Sequence, residues 1–384
     1  MEEIEHQFVK GLKAKCWGFN GHVHGPTLEM VEGDHVRIYV TNKLPTATSI
    51  HWHAIILPNG MDGIAGLTQK EIKPGATFKY EFTVQQHGTF MYHSHHDEMT
   101  QMAMGLMGLL VIHPRNPKVT PDRDYAILLS EWRIIPGTYR PVTTEMVDFN
   151  VFTMNGVSFP DTEPLLAKVG DRVRIRIGNL SATDHHPIHF HGHSFQVVAT
   201  DGGDIPESAQ WPETTILVPV GSTRTIEFIA DNPGDWLLHC HMTHHTMNQM
   251  GHAVANLIGV DVGELNTKVQ SLLPKYMTMG VTGMGEMAEA EAMAAMPGME
   301  DMAMPGPENT ASMIWKTAPY GAIPMGGMAT VVKIRQEITD ESAKSWYKHA
   351  PEQIAKTATK EELEQDGIKI GAVNANSGKS EHKH

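Results

Sequence analysis

The sequence predicts an all-β protein built from two similar Greek-key β-sandwich domains. Short segments that alternate apolar and polar residues, such as 35–40 and 78–82, are typical of strands. The chain holds 35 Gly and 23 Pro in 384 residues, and only 19% of its residues are charged, which favours short strands joined by many turns. An ordered set of these segments recurs about 140 residues further along the chain, which indicates an internal repeat.

Five stretches of the first repeat have a counterpart in the second. The turn Asn20-Gly21 recurs as Asn155-Gly156. The other matched stretches are 34–38 with 171–175, 49–53 with 187–191, 75–82 with 221–228, and 88–95 with 234–241. Each repeat covers about 110–120 residues, which suits one sandwich apiece.

The expected domain boundaries follow the ends of these repeats. After about residue 262 the repeat stops, and residues 277–330 hold about half of the 25 Met, mixed with Gly, Ala and Pro. A strand is expected at 325–334 and a helix from Pro351 to Gln365. The expected organisation is an N-terminal arm (1–12), domain 1 (13–115), a connector (116–140), domain 2 (141–262) and a Met-rich, mostly irregular C-terminal extension and tail (263–384).

Composition excludes several classes of function. A net charge of -14 argues against nucleic acid as a partner and mildly favours cationic solutes. Two Cys exclude a disulfide framework, and no apolar run approaches membrane-spanning length. The first residues, Met1–Glu5, lack the basic and apolar regions of a signal peptide, so the protein is either cytoplasmic or exported by a signal outside this sequence.

Four His-x-His pairs stand at matched positions of the two repeats. They are His51/His53, His93/His95, His189/His191 and His239/His241. On a strand, residues i and i+2 share a face, so each pair presents two imidazoles together. A lone pair of this kind is usually a surface or core feature. Four pairs at equivalent places predict that an interface between the repeats gathers eight imidazoles around a metal cluster.

Cys240 lies between His239 and His241 and therefore points to the opposite face of their strand. With His245 and the thioether of Met250 nearby, and His186 from another segment, it completes the two-His, one-thiolate set of a blue-copper centre. The equivalents in the first repeat are Thr48, Ser94 and Met99, so only the second repeat is expected to hold this centre.

These segments resemble the copper motifs of the multicopper oxidases, the laccase family. The matching stretches are HWHA at 51–54, HSHH at 93–96, HPIHFHGH at 186–193 and HCHMTHHTMNQM at 239–250. Because the segment between His95 and His186 is too short for a middle domain, the chain resembles the two-domain bacterial members with type 1 copper in domain 2. The resemblance implies two cupredoxin-like domains, and it covers residues from about 15 to 262.

The resemblance also implies the copper ligands, residue by residue. One type 1, one type 2 and two type 3 copper ions are expected per chain. Type 1 copper takes His186, Cys240, His245 and Met250; type 2 copper takes His51 and His189; the type 3 pair takes His53, His93, His95, His191, His239 and His241.

The implied reaction couples four one-electron oxidations of a phenolic or aromatic amine donor to reduction of O2 to water. Cys240 would pass each electron to His239 and His241. Asp62 stands where laccases often keep a carboxylate near type 2 copper, and its role in proton transfer competes with that of a simple Asp-Gly turn. Thr246 occupies the place of a second acid in some relatives, so Asp97 or Glu98 is an alternative proton carrier.

Several alternatives remain open at this stage. A metal oxidase of Cu(I), Fe(II) or Mn(II) that serves copper tolerance is the second reading, since thioethers in the Met-rich segment prefer Cu(I). The alternative for that segment is a flexible apolar cover that packs over the trimer or the substrate entrance. A copper nitrite reductase and a copper-storage protein are remote alternatives. The resemblance further implies a homotrimer with trinuclear sites between subunits and a periplasmic or secreted location, with the export signal absent from this sequence.

Overall fold

The structure, a computed structural model, describes residues 1–248, 267–268, 271–272, 308–311, 315–323 and 325–369. Met1–Trp346 form one compact unit and Tyr347–His384 a second. Strands dominate the first unit, as the sequence predicts. In the described parts of the chain, no helix combines the length and apolar character needed to cross a membrane.

Domain 1 is a small sandwich that encloses an apolar core around Trp52, Tyr80 and Phe90. One sheet has the order β3-β8-β7-β5, and β4 pairs with β6 opposite it. The strands are β1 (Glu2–Val9), β2 (Leu12–Gly18), β3 (Leu28–Val31), β4 (His35–Thr41), β5 (His51–His53), β6 (Thr77–Thr83), β7 (Gly88–His93) and β8 (Met107–His113), with a 3-10 turn at Asn59–Met61 and helix α1 (Glu98–Ala103) between β7 and β8.

Domain 2 repeats this plan around a core that includes Phe190, Phe228 and Val332. Its sheets have the orders β10-β9-β12-β18-β14-β15, with β16 on β14, and β11-β22-β19-β13-β17. The strands are β9 (Arg123–Trp132), β10 (Val151–Met154), β11 (Leu165–Lys168), β12 (Arg172–Asn179), β13 (His186–Phe190), β14 (Phe195–Thr200), β15 (Gly203–Asp204), β16 (Trp211–Glu213), β17 (Thr215–Val218), β18 (Thr223–Ile229), β19 (Gly234–Cys240), β20 (Trp315–Ala318), β21 (Gly321–Ile323) and β22 (Ala329–Arg335), with 3-10 turns at Glu207–Ala209 and Thr243–Thr246.

The second unit carries little regular structure among its described residues. A 3-10 turn covers Pro351–Gln353, and helix α2 covers Lys360–Gln365. Thr359 begins α2 with a capping box, in which its hydroxyl accepts from the Glu362 main chain while the Glu362 carboxylate accepts from the Thr359 main chain. The helix predicted from Pro351 to Gln365 is therefore too long, because only Lys360–Gln365 form an α-helix.

The Asn-Gly turn shows how closely the repeats match. Asn20 and Asn155 have φ of 52° and 54°, and the following Gly21 and Gly156 have φ of 80° and 78°. Two positive φ angles in succession define the tight turn that Asn-Gly favours. The residues that flank each turn pair with each other in both repeats.

The expected boundary of domain 2 at residue 262 is wrong, because β22 lies far beyond it. β22 pairs antiparallel with β19 and parallel with β11. In domain 1, β8 makes the same two kinds of pairing with β7 and β3. The strand predicted at 325–334 therefore completes the domain 2 sandwich instead of belonging to an irregular extension.

Two further expected boundaries need correction. The arm at 1–12 is mostly strand: β1 pairs with β2 in a hairpin, and Phe8 is buried in a core cluster with Trp132. The connector at 116–140 contains β9, which pairs with β10 and β12 inside the sheet of domain 2. In both cases a strand gains paired positions, and some of its side chains enter a core, which the repeat alone did not reveal.

Candidate metal centres

The first candidate centre is a buried trio in domain 2. His186 begins β13, Cys240 ends β19, and His245 lies in the 3-10 turn that follows. Sγ of Cys240 is 3.7 Å from Nδ1 of His186 and 3.5 Å from Nδ1 of His245, and the two ring nitrogens are 3.1 Å apart. All three side chains are buried, and their donor atoms converge on one point as the sequence predicts.

Burial favours the neutral form of both imidazoles of the trio. It lowers the pKa of His186 to about 3 and lowers the pKa of His245 as well. It also raises the pKa of the Cys240 thiol to about 12 in the absence of a cation. Neutral imidazoles and a thiol that ionises only beside a positive charge form a donor set for a soft metal ion.

Polar partners fix the rings of the trio, and sequence reasoning missed them. Nε2 of His186 is 2.6 Å from the Ser181 hydroxyl, and Nε2 of His245 is 3.2 Å from a carboxylate oxygen of Asp184. Phe152 stacks on the His245 ring, with centroids 4.2 Å apart. These contacts leave Nδ1 of each histidine to face Cys240. The nearness of Asp184 to His186 in sequence was the one signal available.

A second carboxyl group, that of Glu131, lies next to Asp184 and accepts from its main-chain N–H at 3.3 Å. One of its oxygens accepts from the main-chain N–H of Thr183 at 2.7 Å, and the other has no partner among the described residues. Burial, together with the neighbouring charge of Asp184, raises the pKa of Glu131 to about 7. The carboxylate that contacts His245 therefore belongs to a residue whose main-chain N–H donates to a second carboxyl group, that of Glu131.

The second candidate centre is a histidine cluster in domain 1. The ring nitrogens of His51, His53 and His93 lie within 4.8 Å of one another. The ring of His95 stands 5.5 Å from that of His51. Burial lowers the pKa of His93 to about 3, so this ring too is neutral. The structure therefore brings together the four histidines predicted in this repeat.

Carbonyl oxygens select the nitrogen that each of these rings presents. Nδ1 of His51 donates to the Asp62 carbonyl at 2.8 Å, which leaves Nε2 free. In contrast, Nε2 of His53 is 2.9 Å from the Gly221 carbonyl of domain 2, so His53 presents Nδ1. Such contacts set ring tautomers at metal sites.

Domain 2 carries the matching cluster of four histidines. The rings of His189 and His191 are 4.9 Å apart, and those of His239 and His241 are 5.6 Å apart. Nε2 of His191 lies 3.0 Å from Nε2 of His239. Nδ1 of His239 donates to the Cys240 carbonyl at 2.8 Å, which leaves Nε2 to face its neighbours. This cluster is half-exposed.

The trio and this cluster lie on opposite faces of β19. Cys240 and Leu238 belong to the main core of domain 2, whereas Leu237 packs in a separate cluster with Ala329. The ring of His239 contacts those of His189 and His191 instead. The two-residue period of the strand therefore separates Cys240 from His239, as predicted.

The remaining predicted residues have different outcomes. Met250 lies outside the described residues. Asp62 lies beside His51, with a carboxylate oxygen 3.4 Å from Nδ1. Glu98 approaches Nδ1 of His93 at 3.5 Å, while Asp97 is exposed at the start of α1.

The expected domain 1 counterpart of the trio differs in one member. Thr48 and Ser94 are buried, but the predicted third member, Met99, is 59% exposed. Gln101 takes its place: its Oε1 accepts from both hydroxyls, at 2.6 Å from Thr48 and 2.5 Å from Ser94. Because α1 turns Met99 outwards, counting residues from Ser94 selects the wrong side chain.

The residues present fit copper at both kinds of centre. Two imidazoles and one thiolate suit a blue-copper site, and clustered imidazoles suit copper as well. The fold and these centres define a cupredoxin-like, copper-binding protein. Two family models described as multicopper oxidase match residues 1–117 and 136–259, together more than half of the chain. The chain belongs to the multicopper oxidase family.

Individual relatives agree with this membership. Copper resistance protein A of Escherichia coli is 28% identical over 356 residues, covering 80% of this chain and 56% of that protein. Laccase-1 of Botryotinia fuckeliana is 34% identical over 233 residues, covering 56% of this chain and 39% of that protein. The chain thus spans about half, or less, of the length of these curated relatives.

Solved structures match over more of their length. The blue copper oxidase from Nitrosomonas europaea is 25% identical with a TM-score of 0.61, over 90% of this chain and 89% of that chain. The multicopper oxidase mgLAC is 26% identical with a TM-score of 0.62, over 88% and 86%.

Proposed function

We propose that the protein is a laccase-like oxidase that couples four one-electron oxidations of a phenolic or aromatic amine donor to reduction of O2 to water. The observation that carries this proposal is the junction at the end of β19. Cys240 belongs to the buried trio and the adjacent His239 to the imidazole cluster, so one peptide bond joins two kinds of centre. Copper, when bound at both, would supply one-electron exchange and O2 reduction.

The chain itself provides the connection between these centres. A covalent path runs from Sγ of Cys240 through its main chain to the imidazole of His239, over a distance on the order of 10 Å because the side chains leave opposite faces. Leu238 and Cys240 are completely buried, which keeps water away from the sulfur end of the path. The proposed histidine and cysteine ligands are those that the resemblance implies.

The test of this proposal measures stoichiometry. The full-length chain is loaded with Cu(II), and O2 uptake is recorded with a methoxyphenol donor and with an aromatic amine. We expect one O2 consumed for four donor molecules oxidised, without hydrogen peroxide. Accumulation of peroxide, or a loaded protein that takes up no O2 with any donor, would contradict the proposal. Nitrite reduction without O2 uptake would instead support a nitrite reductase.

Asp62 is the proposed proton donor to the cluster. Its carboxylate lies against His51 while the side chain keeps 25% of its exposure, so it can exchange protons with solvent. Asp62→Asn is expected to slow O2 reduction and alter the pH profile of kcat. Reduction of the type 1 centre by donor in the absence of O2 should keep its rate. Equal slowing of both half-reactions would argue against a proton role.

We also propose that the active protein is a homotrimer. Among the described residues, ring contacts join the histidines within each cluster, but none joins the domain 1 cluster to the domain 2 cluster. Each cluster alone supplies half of the eight imidazoles. A closed head-to-tail ring would bring domain 1 of one chain against domain 2 of the next.

Subunit mixing tests this arrangement. One variant carries His93→Ala in domain 1, and the other carries His191→Ala in domain 2. Each homotrimer should be inactive. In random trimers mixed from equal amounts of the two variants, about a quarter of the interfaces should join an unchanged domain 1 to an unchanged domain 2, and these should be active. No recovery in mixed trimers, or an active monomer in sedimentation, would contradict the proposal.

A metal-ion oxidase is the second candidate, and the carboxylates near His245 favour it. Asp184 contacts Nε2 of His245, and Glu131 lies behind Asp184. Negative groups beside the electron-entry histidine would attract a metal cation. Asp184→Asn should then reduce turnover of Cu(I) or Fe(II) more than that of a neutral phenol.

Deletion of 280–310 tests the Met-rich segment separately: unchanged Cu(I) oxidation would remove its role in copper delivery. The predicted periplasmic or secreted location stays a prediction.

A further inference from the structure

Met328, the residue immediately before β22, is hydrogen-bonded through its main chain to two members of the trio. Its carbonyl accepts from the N–H of Cys240 at 3.0 Å, and its N–H donates to the carbonyl of His245 at 2.8 Å. The side chain is 0% exposed and packs in the core cluster that contains Cys240.

The strand register puts the Met328 side chain on the thiolate face. β19 and β22 run antiparallel, and their last pair is His239 with Ala329. Continuing this register by one residue places Met328 opposite Cys240, which agrees with the hydrogen bond from the Cys240 N–H to the Met328 carbonyl. Directly opposite residues of an antiparallel pair point to the same face, with Cβ atoms about 4.5–5.5 Å apart. A Met side chain has three rotatable bonds and can close such a gap to the metal position.

The residues before Met328 hold it against the turn that carries His245. The Gly326 N–H donates to the Thr246 carbonyl at 2.9 Å, and the Gly327 N–H donates to the Asn248 side chain at 2.8 Å. Gly327 has φ of +59°, and a Cβ there would stand 2.2 Å from the His245 carbonyl oxygen. Only glycine permits this approach, so the segment is built to sit at the trio.

Domain 1 offers a comparison at the equivalent position, where Ser94 replaces the thiolate residue. There, the N–H of Ser94 donates to the carbonyl of Leu106 at 3.0 Å, as Cys240 does to Met328. Leu106 is also 0% exposed. The repeat without a thiolate therefore carries an aliphatic side chain where the repeat with one carries a thioether.

We propose that Met328, and not Met250, supplies the axial thioether of the type 1 centre. The inference rests on the proposed copper function. Spacing along the sequence selects Met250, but the pairing of β22 with β19 gives the position opposite Cys240 to a residue from the far end of the Met-rich segment. The long, weak axial bond of such sites tunes the reduction potential, so the two assignments differ in a measurable property.

The experiment compares single variants of the full-length chain loaded with Cu(II). The test variants are Met328→Leu and Met328→Gln, the rival is Met250→Leu, and the matched control is Met154→Leu. Met154 is buried in the same core cluster, but its main chain pairs with Leu129 and Val157. Leu is close to Met in volume and already occupies the equivalent position in domain 1. The readouts are the thiolate-to-copper absorption, the electron spin resonance of the type 1 signal and its reduction potential.

We expect Met328→Leu to raise the potential and Met328→Gln to lower it, each with a changed spin-resonance signal, while Met250→Leu and Met154→Leu match the parent protein. A raised potential in Met250→Leu with an unchanged Met328→Leu would overturn the inference. If neither Met328 variant folds, Met250→Leu decides alone: a raised potential refutes the inference and an unchanged one supports it. Failure of the proposed function is distinct, because the parent protein would then lack the thiolate-to-copper absorption.

Discussion

The two repeats place different chemistry at one position of one fold. In domain 2, His186, Cys240 and His245 aim two ring nitrogens and a sulfur at a common point, with 3.1 Å between the nitrogens. In domain 1, Gln101 accepts from two hydroxyls, and its own amide donates to the Ala47 carbonyl at 2.8 Å. The first arrangement gathers lone pairs that a cation would satisfy, whereas the second satisfies itself.

This difference shows how one of two repeated sites can lack metal ligands and keep the same fold. A buried polar group without a partner costs about 1–3 kcal/mol, so removing ligands from a core requires replacement hydrogen bonds. Thr48, Ser94 and Gln101 provide them, and Sδ of Met1 lies 3.7 Å from the Thr48 hydroxyl. The histidine clusters on the other sheet face are kept in both repeats. Under the proposed function, electron entry would therefore be confined to domain 2, while both domains would supply the O2 site.

The largest expected effect comes from giving domain 2 the residue of domain 1. Cys240→Ser should abolish the thiolate-to-copper absorption and lower oxidase turnover by roughly 1,000-fold or more, because the bridge to His239 loses its ligand atom. The measurements are absorption and O2 uptake. Ser94→Ala is the matched control and should leave both unchanged. Comparable loss of turnover in Ser94→Ala would end the distinction between the repeats.

A smaller effect is expected from the groups that orient the trio. Ser181→Ala removes the partner of His186 Nε2 and should weaken type 1 copper binding about 10–100-fold. Competition with a copper chelator measures this affinity. Thr48→Val, which removes a hydroxyl from the domain 1 counterpart, should not change it. Unaltered affinity in Ser181→Ala would mean that packing alone orients His186.

Domain 1 variants should instead report on stability. Thr48→Val and Ser94→Ala each remove a buried hydrogen bond to Gln101, which should lower the free energy of unfolding by about 1–2 kcal/mol. Denaturant unfolding of the metal-free protein measures the change. The double variant should cost less than the sum of the two single changes, because both hydroxyls serve one oxygen. Additive losses would show that Gln101 does not couple them.

The smallest effect concerns His24, whose domain 2 equivalent is Phe159 by alignment of the Asn-Gly turns. Burial lowers the pKa of His24 to about 3, whereas the unfolded chain binds this proton below about pH 6.5. His24 therefore does not reduce the free energy of unfolding above about pH 6.5. As the pH falls towards 3, protonation of His24 in the unfolded chain lowers this free energy, by about 1 kcal/mol at pH 6. His24→Phe should remove that part of the acid sensitivity of the metal-free protein.

Unfolding midpoints across this pH range test the His24 effect. The exposed neighbour provides the control variant, His22→Phe. An unchanged pH slope in His24→Phe would mean that other groups account for the acid response.

The sequence predicted the features that depend on local period and on repetition. Alternation along β19 was enough to separate Cys240 from His239, and the repeat was enough to collect the histidine pairs. It did not reveal Gln101, because helix α1 changes which side chain points inwards. It did not reveal Ser181 or Asp184, whose roles depend on a loop that folds back over β13. Nor did it assign the strand predicted at 325–334 to domain 2, because the recognisable repeat stops at about residue 262.

Residues 249–324 connect two parts of the chain that both lie beside the trio. The chain leaves the type 1 centre after Asn248 and returns to it at Gly326, whose N–H bonds Thr246. A single proteolytic cut between these points would divide the protein into two polypeptides. β22 would stay in place between β11 and β19, since a central strand is bonded on both edges. The nicked protein would then run as two bands in denaturing gels yet behave as one particle in solution, with the thiolate and the Met328 thioether on separate polypeptides.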